Sequence, residues 1–257
     1  MTDASLILVD RTPDGVTRLT MNDPDRRNAL SLPLRSALRM ILRAEAGAPE
    51  TRALVLTGAG VGFCAGGDIS AMGLDPVAAL QRFEIMHDIA RELAMYPKPV
   101  VAAVNGAAFG AGFSLALLAD YVIAAPGAKF GVSFARMGLV PDTAFLWAVQ
   151  RRVSRARALQ MVAGAEILTA DAALSEGIVD ALADDPVTAA EQKARALLKL
   201  PPLPFAAAKR ALARADGQLE TLLAAEYADQ ARMFNTNDHR EAVAAFREKR
   251  DPVFNGT

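Results

Sequence analysis

The sequence predicts an α/β fold in which buried strands alternate with helices and a purely helical segment follows. Two apolar runs, residues 53–57 and 100–104, have the composition of buried strands, and each leads into a glycine-rich turn and then into a helical pattern. The two units lie about 45 residues apart, and after about residue 185 the strand pattern stops. Because ligands in α/β folds bind at the carboxyl ends of strands, these turns indicate where a site lies.

The elements before the first unit are predicted to be a hairpin and a helix. The β-prone runs 6–9 and 16–20 flank the turn signal Pro-Asp-Gly at residues 13–15, which favours an antiparallel pair. Ser31 is a suitable N-cap, and apolar residues recur at helical spacing after it. A second helix is predicted to begin at residue 75 or 76.

The second unit continues with a helix from about 112 to 119 and a strand at 121–125. The tail is predicted to form helices at residues 187–199, 205–215, 219–235 and 238–247. The apolar faces of these helices need a partner surface, which is either the core of the same chain or another subunit.

Composition excludes several classes of protein. The chain has 257 residues, 52% of them hydrophobic, and a formal net charge of −1, which argues against a general polyanion binder. A single cysteine cannot form an intrachain disulfide, and the first residues lack a basic and apolar leader, so we expect a cytoplasmic protein. The apolar stretch 100–125 is interrupted by a turn signal at Asn105 and by Asp120, which favours a strand, a turn and a buried helix over a membrane span.

The two glycine-rich turns, residues 62–68 and 105–112, are the most informative feature of the sequence. Turns of this kind can direct backbone N–H groups towards one point, and two such groups on one oxygen form an oxyanion hole. The alternative for either turn alone is a tight turn with a structural role.

The order of motifs resembles the crotonase (enoyl-CoA hydratase/isomerase) superfamily, and in particular its isomerase-like branch, which includes 1,2-epoxyphenylacetyl-CoA isomerase and Δ3,Δ2-enoyl-CoA isomerase. The resemblance covers nearly the whole chain. The motifs that carry it are Arg27-Asn-Ala-Leu30, Gly62-Phe-Cys-Ala-Gly-Gly-Asp-Ile69, Lys98-Pro-Val-Val-Ala-Ala-Val-Asn-Gly106, Gly110-Ala-Gly112, Gly138-Leu-Val-Pro-Asp142, residues 170–180 and residues 245–254.

This resemblance implies a crotonase-like spiral of ββα units over residues 1–195 and a C-terminal α-helical trimerisation region over residues 196–257. It implies an acyl-CoA substrate and a homotrimer or a dimer of trimers. It implies no metal and no cofactor besides the coenzyme A thioester itself, and neither a nucleic-acid partner nor a membrane. The oxyanion donors correspond to Gly67 and Ala111, although the family usually has glycine at the second position.

The resemblance also implies positions that contact coenzyme A. Besides the two oxyanion residues, they are Arg27, Ala29, Ala65, Asp68, Ile69, Phe134, Phe246 and Lys249. For Arg27 and Lys249 the alternative is a solvated surface charge.

The reaction depends on which carboxylates are present. Hydration of an enoyl thioester needs two carboxylates that hold one water molecule, and the corresponding positions are Ser114 and Phe134. Asp142 is the one carboxylate between residues 120 and 166, in an apolar segment where burial raises the pKa of a carboxyl group. A shift of a double bond from Δ3 to Δ2 needs only one acid–base group, so the sequence favours isomerisation with Asp142, Gly67 and Ala111. The alternative is that Asp142 caps a helix beginning near residue 143.

Three other functions and two candidate nucleophiles stay open. One is hydration despite the missing glutamates. A second is hydrolysis like that of 4-chlorobenzoyl-CoA dehalogenases, with His87 as base and Asp142 as nucleophile. A third is RNA binding by Arg35, Arg39 and Arg43, which lie four residues apart on one helix face. Finally, Ser114 and Cys64 are candidate nucleophiles, although neither belongs to a triad pattern and a structural role is favoured.

Overall fold

The computed structural model describes residues 6–69, 76–215 and 217–256, and the side chains of residues 80 onward in the second of these segments. The strands in chain order are β1 (Ile7–Arg11), β2 (Val16–Met21), β3 (Ala53–Gly58), β4 (Gly62–Cys64), β5 (Val100–Val104), β6 (Ala107–Phe109), β7 (Tyr121–Ala124), β8 (Lys129–Gly131), β9 (Ile167–Thr169) and β10 (Ala181–Leu182). The helices are α1 (Leu32–Gly47), α2 (Pro76–Ala94), α3 (Ala111–Leu117), α4 (Phe145–Val149), α5 (Arg155–Ala163), α6 (Ala170–Ser175), α7 (Pro186–Leu197), α8 (Pro202–Arg214), α9 (Gln218–Met233) and α10 (Asn237–Glu248).

The predicted α/β class is confirmed. Six strands form a first sheet in the order β1-β2-β3-β5-β7-β10, in which β1 and β2 are an antiparallel hairpin and the other neighbours are parallel. The predicted hairpin is therefore present, with Val9 opposite Leu19. The interior strands β3 and β5 are buried along their whole length, as expected of strands covered on both faces.

A second sheet, in the order β4-β6-β8-β9, was not predicted. Its first two strands lie inside the glycine-rich segments, which the sequence predicts to be turns throughout, and for residues 62–64 and 107–109 that prediction is wrong. Strands of three residues in glycine- and alanine-rich sequence carry too little pattern to be distinguished from a turn. Because β4 and β6 are parallel neighbours, with Gly62 opposite Ala107, the turns that follow them lie side by side.

The first helices pack as the sequence predicts. The Ser31 hydroxyl accepts a hydrogen bond from the Leu34 N–H at the start of α1, which confirms Ser31 as the N-cap. The face of α1 that carries Leu34, Leu38 and Leu42 is buried, and α1 packs against α2. The predicted beginning of α2 at residue 76 is confirmed, while residue 75 lies outside the described residues.

The helical tail is also confirmed, and much of it packs on its own chain. Helix α7 lies against β3 and β5, and α9 packs against α2 and α4. Exposed apolar side chains remain on α8, where Leu203 and Leu212 are 80% and 72% exposed. Whether a second subunit covers them, as the expected trimer implies, stays a prediction. Among the described residues, no helix combines the length and apolarity needed to cross a membrane.

Candidate active site

A cavity of about 50 Å³ lies where the two glycine-rich turns, α1, α2 and α9 meet. It brings together Gly67, Ala111 and Asp142, the residues that the sequence predicts to perform the chemistry. Its other lining residues are Leu30, Arg35, Asp68, Arg82, Phe83, Met86, Leu139, Gln230 and Phe234. The wall thus combines apolar side chains with a few polar groups, which is typical of small-molecule sites.

The two turns touch because glycines leave no side chain between them. Gly66 has φ +91°, and a Cβ there would lie 2.5 Å from the Phe109 carbonyl oxygen. A Cβ on Gly112 would overlap the carbonyl oxygen of Cys64. Close approach of backbone to backbone therefore requires glycine at both positions.

The N–H groups of Gly67 and Ala111 are available as hydrogen-bond donors at the cavity. Ala111 is the first residue of α3, so its N–H has no partner within the helix. Within the part of the chain that the structure describes, neither N–H donates to a backbone acceptor. The positive φ of this turn falls on Gly110, at 51°, and Ala111 is not among the described residues with positive φ. Alanine in place of the family's usual glycine therefore causes no backbone strain.

The segment 27–30 is fastened to the first glycine-rich turn by hydrogen bonds that the sequence did not reveal. The Asn28 side-chain N–H group donates to the carbonyl oxygens of Ala59 and Gly62, at 3.0 and 2.9 Å. The Leu30 N–H donates to the Gly66 carbonyl at 2.8 Å. Asn28 is fully buried and has φ 56°, a left-handed conformation that asparagine tolerates better than most residues. Its place in the motif Arg27-Asn-Ala-Leu30 was the available signal.

Asp142 lies in a strained turn before α4. The Thr143 hydroxyl donates to Asp142 Oδ1 at 2.9 Å, and the Ser114 hydroxyl donates to the Asp142 carbonyl oxygen at 3.0 Å. Thr143 and Ala144 have φ values of 57° and 56°. The helix begins at Phe145 with Ala144 as its N-cap and no side-chain cap, so the alternative that Asp142 caps this helix is wrong.

The environment of the Asp142 carboxyl group favours its protonated form. Burial, and after it the nearby Glu226 carboxylate, raises the pKa of this group from 3.8 to about 6. The Thr143 hydrogen bond, Arg35 and His87 act on the pKa in the opposite direction. The carboxyl group therefore exchanges protons close to neutral pH, as the sequence led us to expect.

Helix α9 of the tail supplies two buried polar residues that the sequence did not reveal. Glu226 Oε2 accepts a hydrogen bond from the Ala144 N–H at 3.2 Å and lies 3.3 Å from His87 Nε2. Gln230 lines the cavity, and its Oε1 accepts from the Val140 N–H at 3.2 Å. The available signal was their spacing, because Glu226 and Gln230 continue the buried face that begins with Leu219 and Leu223.

Several of the expected coenzyme A contacts lie together at the first glycine-rich turn. Ala65 donates its N–H to the carbonyl oxygen of Arg27, so these two residues lie together at the first turn. Asp68 lines the cavity and lies 3.6 Å from Arg26. The half-buried Ala29 and Ile69 adjoin this group in sequence, the latter bordering a segment outside the described residues.

Gly67, Asp68 and Ala111 are the expected contacts that line the cavity, and three others lie away from the first turn. Phe134 is buried and packs against Phe145 with ring centroids 5.5 Å apart. Phe246, which is 56% exposed, and the exposed Lys249 lie at the end of α10.

The alternative nucleophiles and the basic helix face are engaged in structural contacts. The buried Cys64 thiol donates to the Asn28 carbonyl oxygen, and burial raises its pKa to about 12. Arg35 is buried and donates to the Leu30 carbonyl, while Arg39 and Arg43 both contact Asp88 on α2, at 3.0 and 3.1 Å. These arginines do not form an unpaired basic row, which gives the RNA-binding alternative no support.

The chain is similar to known proteins over nearly its whole length. Residues 11–257 match the family model described as enoyl-CoA hydratase/isomerase. The chain is 37% identical to 1,2-epoxyphenylacetyl-CoA isomerase of Escherichia coli (strain K12), over 97% of this chain and 98% of that protein. It is 34% identical to 2,3-dehydroadipyl-CoA hydratase of the same strain, over 94% and 95% respectively. The crystal structure of an enoyl-CoA hydratase from Mycobacterium avium subsp. paratuberculosis K-10 superimposes with a TM-score of 0.87 at 33% identity, covering 97% of this chain and 98% of that one.

Proposed function

The chain belongs to the enoyl-CoA hydratase/isomerase family, and from that premise we propose that it moves the double bond of an enoyl-CoA from Δ3 to Δ2 with Asp142 as the acid–base group. The observation that carries the proposal is that one carboxyl group with a pKa near neutrality shares a cavity with two backbone N–H groups that have no backbone acceptor among the described residues. Relatives named as isomerases and as hydratases are both similar to this chain, so the residues of the site distinguish the two reactions.

In the proposed mechanism the thioester oxygen accepts hydrogen bonds from the N–H groups of Gly67 and Ala111. The Asp142 carboxylate removes a proton from C2, and the electron pair spreads over the dienolate and onto the thioester oxygen, where the two donors stabilise the charge. The protonated Asp142 then returns the proton to C4, which leaves the double bond between C2 and C3. A carboxyl group with a pKa of about 6 is suited to both steps, since it is largely ionised at neutral pH yet basic enough to accept a proton.

Hydration would need a second carboxyl group on the same water molecule. The two positions that correspond to the hydratase glutamates hold Ser114, whose hydroxyl is bonded to a backbone carbonyl, and the apolar Phe134. Asp68 does line the cavity, but its carboxylate pairs with Arg26. We therefore assign Asp142 alone to proton transfer.

The dehalogenase-like reaction would need His87 at the substrate. His87 is buried, does not line the cavity and faces Glu226 instead. This arrangement favours an indirect role, in which His87 acts on Asp142, over a role as a base that contacts substrate.

The remaining parts of the proposal follow from the family. We assign Arg27, Ala29, Ala65, Asp68 and Ile69 to coenzyme A binding, since they cluster at the turn that supplies one oxyanion donor. A homotrimer and a cytoplasmic location complete the proposal, as do the expected contacts from Phe134, Phe246 and Lys249.

The test is Asp142→Asn, assayed with 3-enoyl-CoA substrates of straight, branched and aromatic acyl groups. Formation of the conjugated 2-enoyl thioester is expected to fall about 10³-fold, because general acid–base groups contribute factors of this order. Acyl-CoA affinity, measured by calorimetry, is expected to stay within a few-fold, since the amide is nearly isosteric. Asp171→Asn, an exposed change on α6, is the matched control.

Three outcomes would overturn the assignment. The wild-type protein could isomerise none of the substrates, the Asp142→Asn variant could keep its activity, or hydration of 2-enoyl-CoA could exceed isomerisation.

A further inference from the structure

A buried carboxyl–imidazole pair acts on Asp142 without lining the cavity, and the mechanism above uses neither member. Glu226 on α9 and His87 on α2 are 5% and 4% exposed, with His87 Nε2 3.3 Å from Glu226 Oε2. The Glu226 Oε1 atom is buried without a hydrogen-bond partner among the described residues. Burial of ionisable groups reduces the free energy of unfolding, so a buried pair of this kind indicates a role in its surroundings.

The pair is connected to Asp142 through the backbone. Glu226 accepts the Ala144 N–H at 3.2 Å, and Ala144 and Thr143 both have left-handed φ values. Two successive non-glycine residues in this conformation are unfavourable unless their surroundings hold them. The Thr143 hydroxyl, in turn, donates to the Asp142 carboxylate. Glu226 therefore fixes the turn that orients the acid–base group.

The pair also acts on Asp142 through its charges. The charged groups that face Asp142 are Arg35 from α1, His87 from α2 and Glu226 from α9, and Asp68 and Arg82 share the cavity wall. Of the α2–α9 pair, Glu226 raises the pKa of Asp142 and His87 lowers it. The two effects have opposite signs, so each residue can be tested separately.

Resting on the proposed function, we infer that Glu226 and His87 are positioning residues for Asp142, which hold its turn and set the charge that its carboxyl group faces. Glu226 supplies the acceptor for the Ala144 N–H and a negative charge behind the carboxyl group. His87 lies 3.3 Å from Glu226 Oε2 and acts on the Asp142 pKa in the opposite direction. A helix of the C-terminal helical segment thereby adjusts proton transfer without contacting the substrate.

The experiment is a titration of the Asp142 carboxyl group in the absence of substrate, by ¹³C NMR of protein labelled at aspartate side chains. Asp142→Asn assigns the resonance. Glu226→Gln keeps an acceptor for the Ala144 N–H but removes the charge, and it is expected to lower the Asp142 midpoint by about one pH unit. His87→Gln is expected to raise the midpoint by a similar amount, and the double variant to lie within about half a unit of wild type.

Two further variants separate charge from position. Glu220→Gln removes the same charge from an exposed site on the same helix, where it pairs with Arg91, and is expected to leave the midpoint unchanged. Glu226→Asp keeps the charge but shortens the reach to the Ala144 N–H, so kcat is expected to fall about tenfold while the acid limb of kcat/KM stays in place. It also serves if Glu226→Gln does not fold.

The inference is overturned if Glu226→Gln and His87→Gln move the midpoint in the same direction, or no further than Glu220→Gln. It is also overturned if Glu226→Asp loses no activity although the substrate is turned over by wild type. Because the NMR titration needs no turnover, a wild-type protein without isomerase activity contradicts the proposed function, whereas an unmoved Asp142 midpoint contradicts the inference.

Discussion

Two parts of the cavity wall, the glycine-rich turns and helix α9, differ in what they contribute. The turns contribute backbone N–H groups at Gly67 and Ala111 and have no space for additional atoms where they touch. Helix α9 contributes side chains, with Glu226 behind Asp142 and Gln230 on the cavity itself. The comparison indicates that the positions of the backbone donors depend on closely packed glycines, whereas the pKa of Asp142 depends first on burial and then on a charge from a distant part of the chain.

Gly112→Ala disrupts the contact between the two glycine-rich turns, and we expect it to have the largest effect on stability. The added Cβ would overlap the Cys64 carbonyl oxygen, which belongs to the backbone and cannot move aside without shifting β4. We expect a loss of about 3 kcal/mol or more in the free energy of unfolding, or no folded protein at all. Chemical denaturation measures it.

Gly127→Ala is the control for this change, since a Cβ at that position would meet no atom within 4 Å. Its expected effect is below about 0.5 kcal/mol. Equal losses for the two variants would contradict the view that the turns require glycine for lack of space.

For Asp142→Asn we expect the opposite of the Gly112→Ala effect, a gain in the free energy of unfolding. Since the pKa of Asp142 is raised from 3.8 to about 6, the folded protein binds this proton more tightly than the unfolded chain, so the fold loses stability as pH rises from about 4 and the loss is complete above about pH 6. Asp142→Asn removes that charge and is expected to stabilise the protein by about 2–3 kcal/mol at pH 7.5.

The gain is expected to disappear below about pH 4, where the wild-type carboxyl group is protonated in both states. Thermal unfolding at a series of pH values measures this dependence. A stabilisation that is independent of pH would contradict the assigned burial of the Asp142 charge.

The smallest effect is expected for Ala111→Gly. If Ala111 acts through its backbone N–H, removal of its methyl group keeps that donor, and kcat/KM is expected to stay within about twofold of wild type. The cost of glycine at a helix start is expected to be at most about 1 kcal/mol of stability. Steady-state kinetics and thermal unfolding check both values, and a large loss of activity with unchanged stability would show that the Ala111 side chain itself matters.

Local patterns accounted for much of this structure. The hairpin β1–β2, the N-cap at Ser31 and the helical tail follow from turn signals, capping and apolar spacing within a few residues. The short strands β4 and β6 could not be found in this way, because the three-residue sequences Gly-Phe-Cys and Ala-Ala-Phe carry no periodicity. They form because their backbones pair with each other across more than 40 residues.

The candidate site was likewise predictable only where its residues belong to local motifs. Gly67, Ala111 and Asp142 belong to motifs that the sequence displays, and the structure places all three around one cavity. Glu226 was hidden because its partners, Ala144 and His87, are 82 and 139 residues away in the chain. A glutamate on a helix is ordinarily a surface residue, and only the face it shares with Leu223 indicated otherwise.

The sequence by itself determined the longer strands, the helices, the glycines that allow the two turns to touch and the isolated carboxylate of Asp142, since these depend on residue type and local spacing. Only the tertiary structure decided that α9 covers the cavity and that a glutamate and a histidine stand behind the acid. The physical reason is that burial and electrostatic interaction depend on distance in space, and the folding of the chain sets that distance independently of separation in sequence.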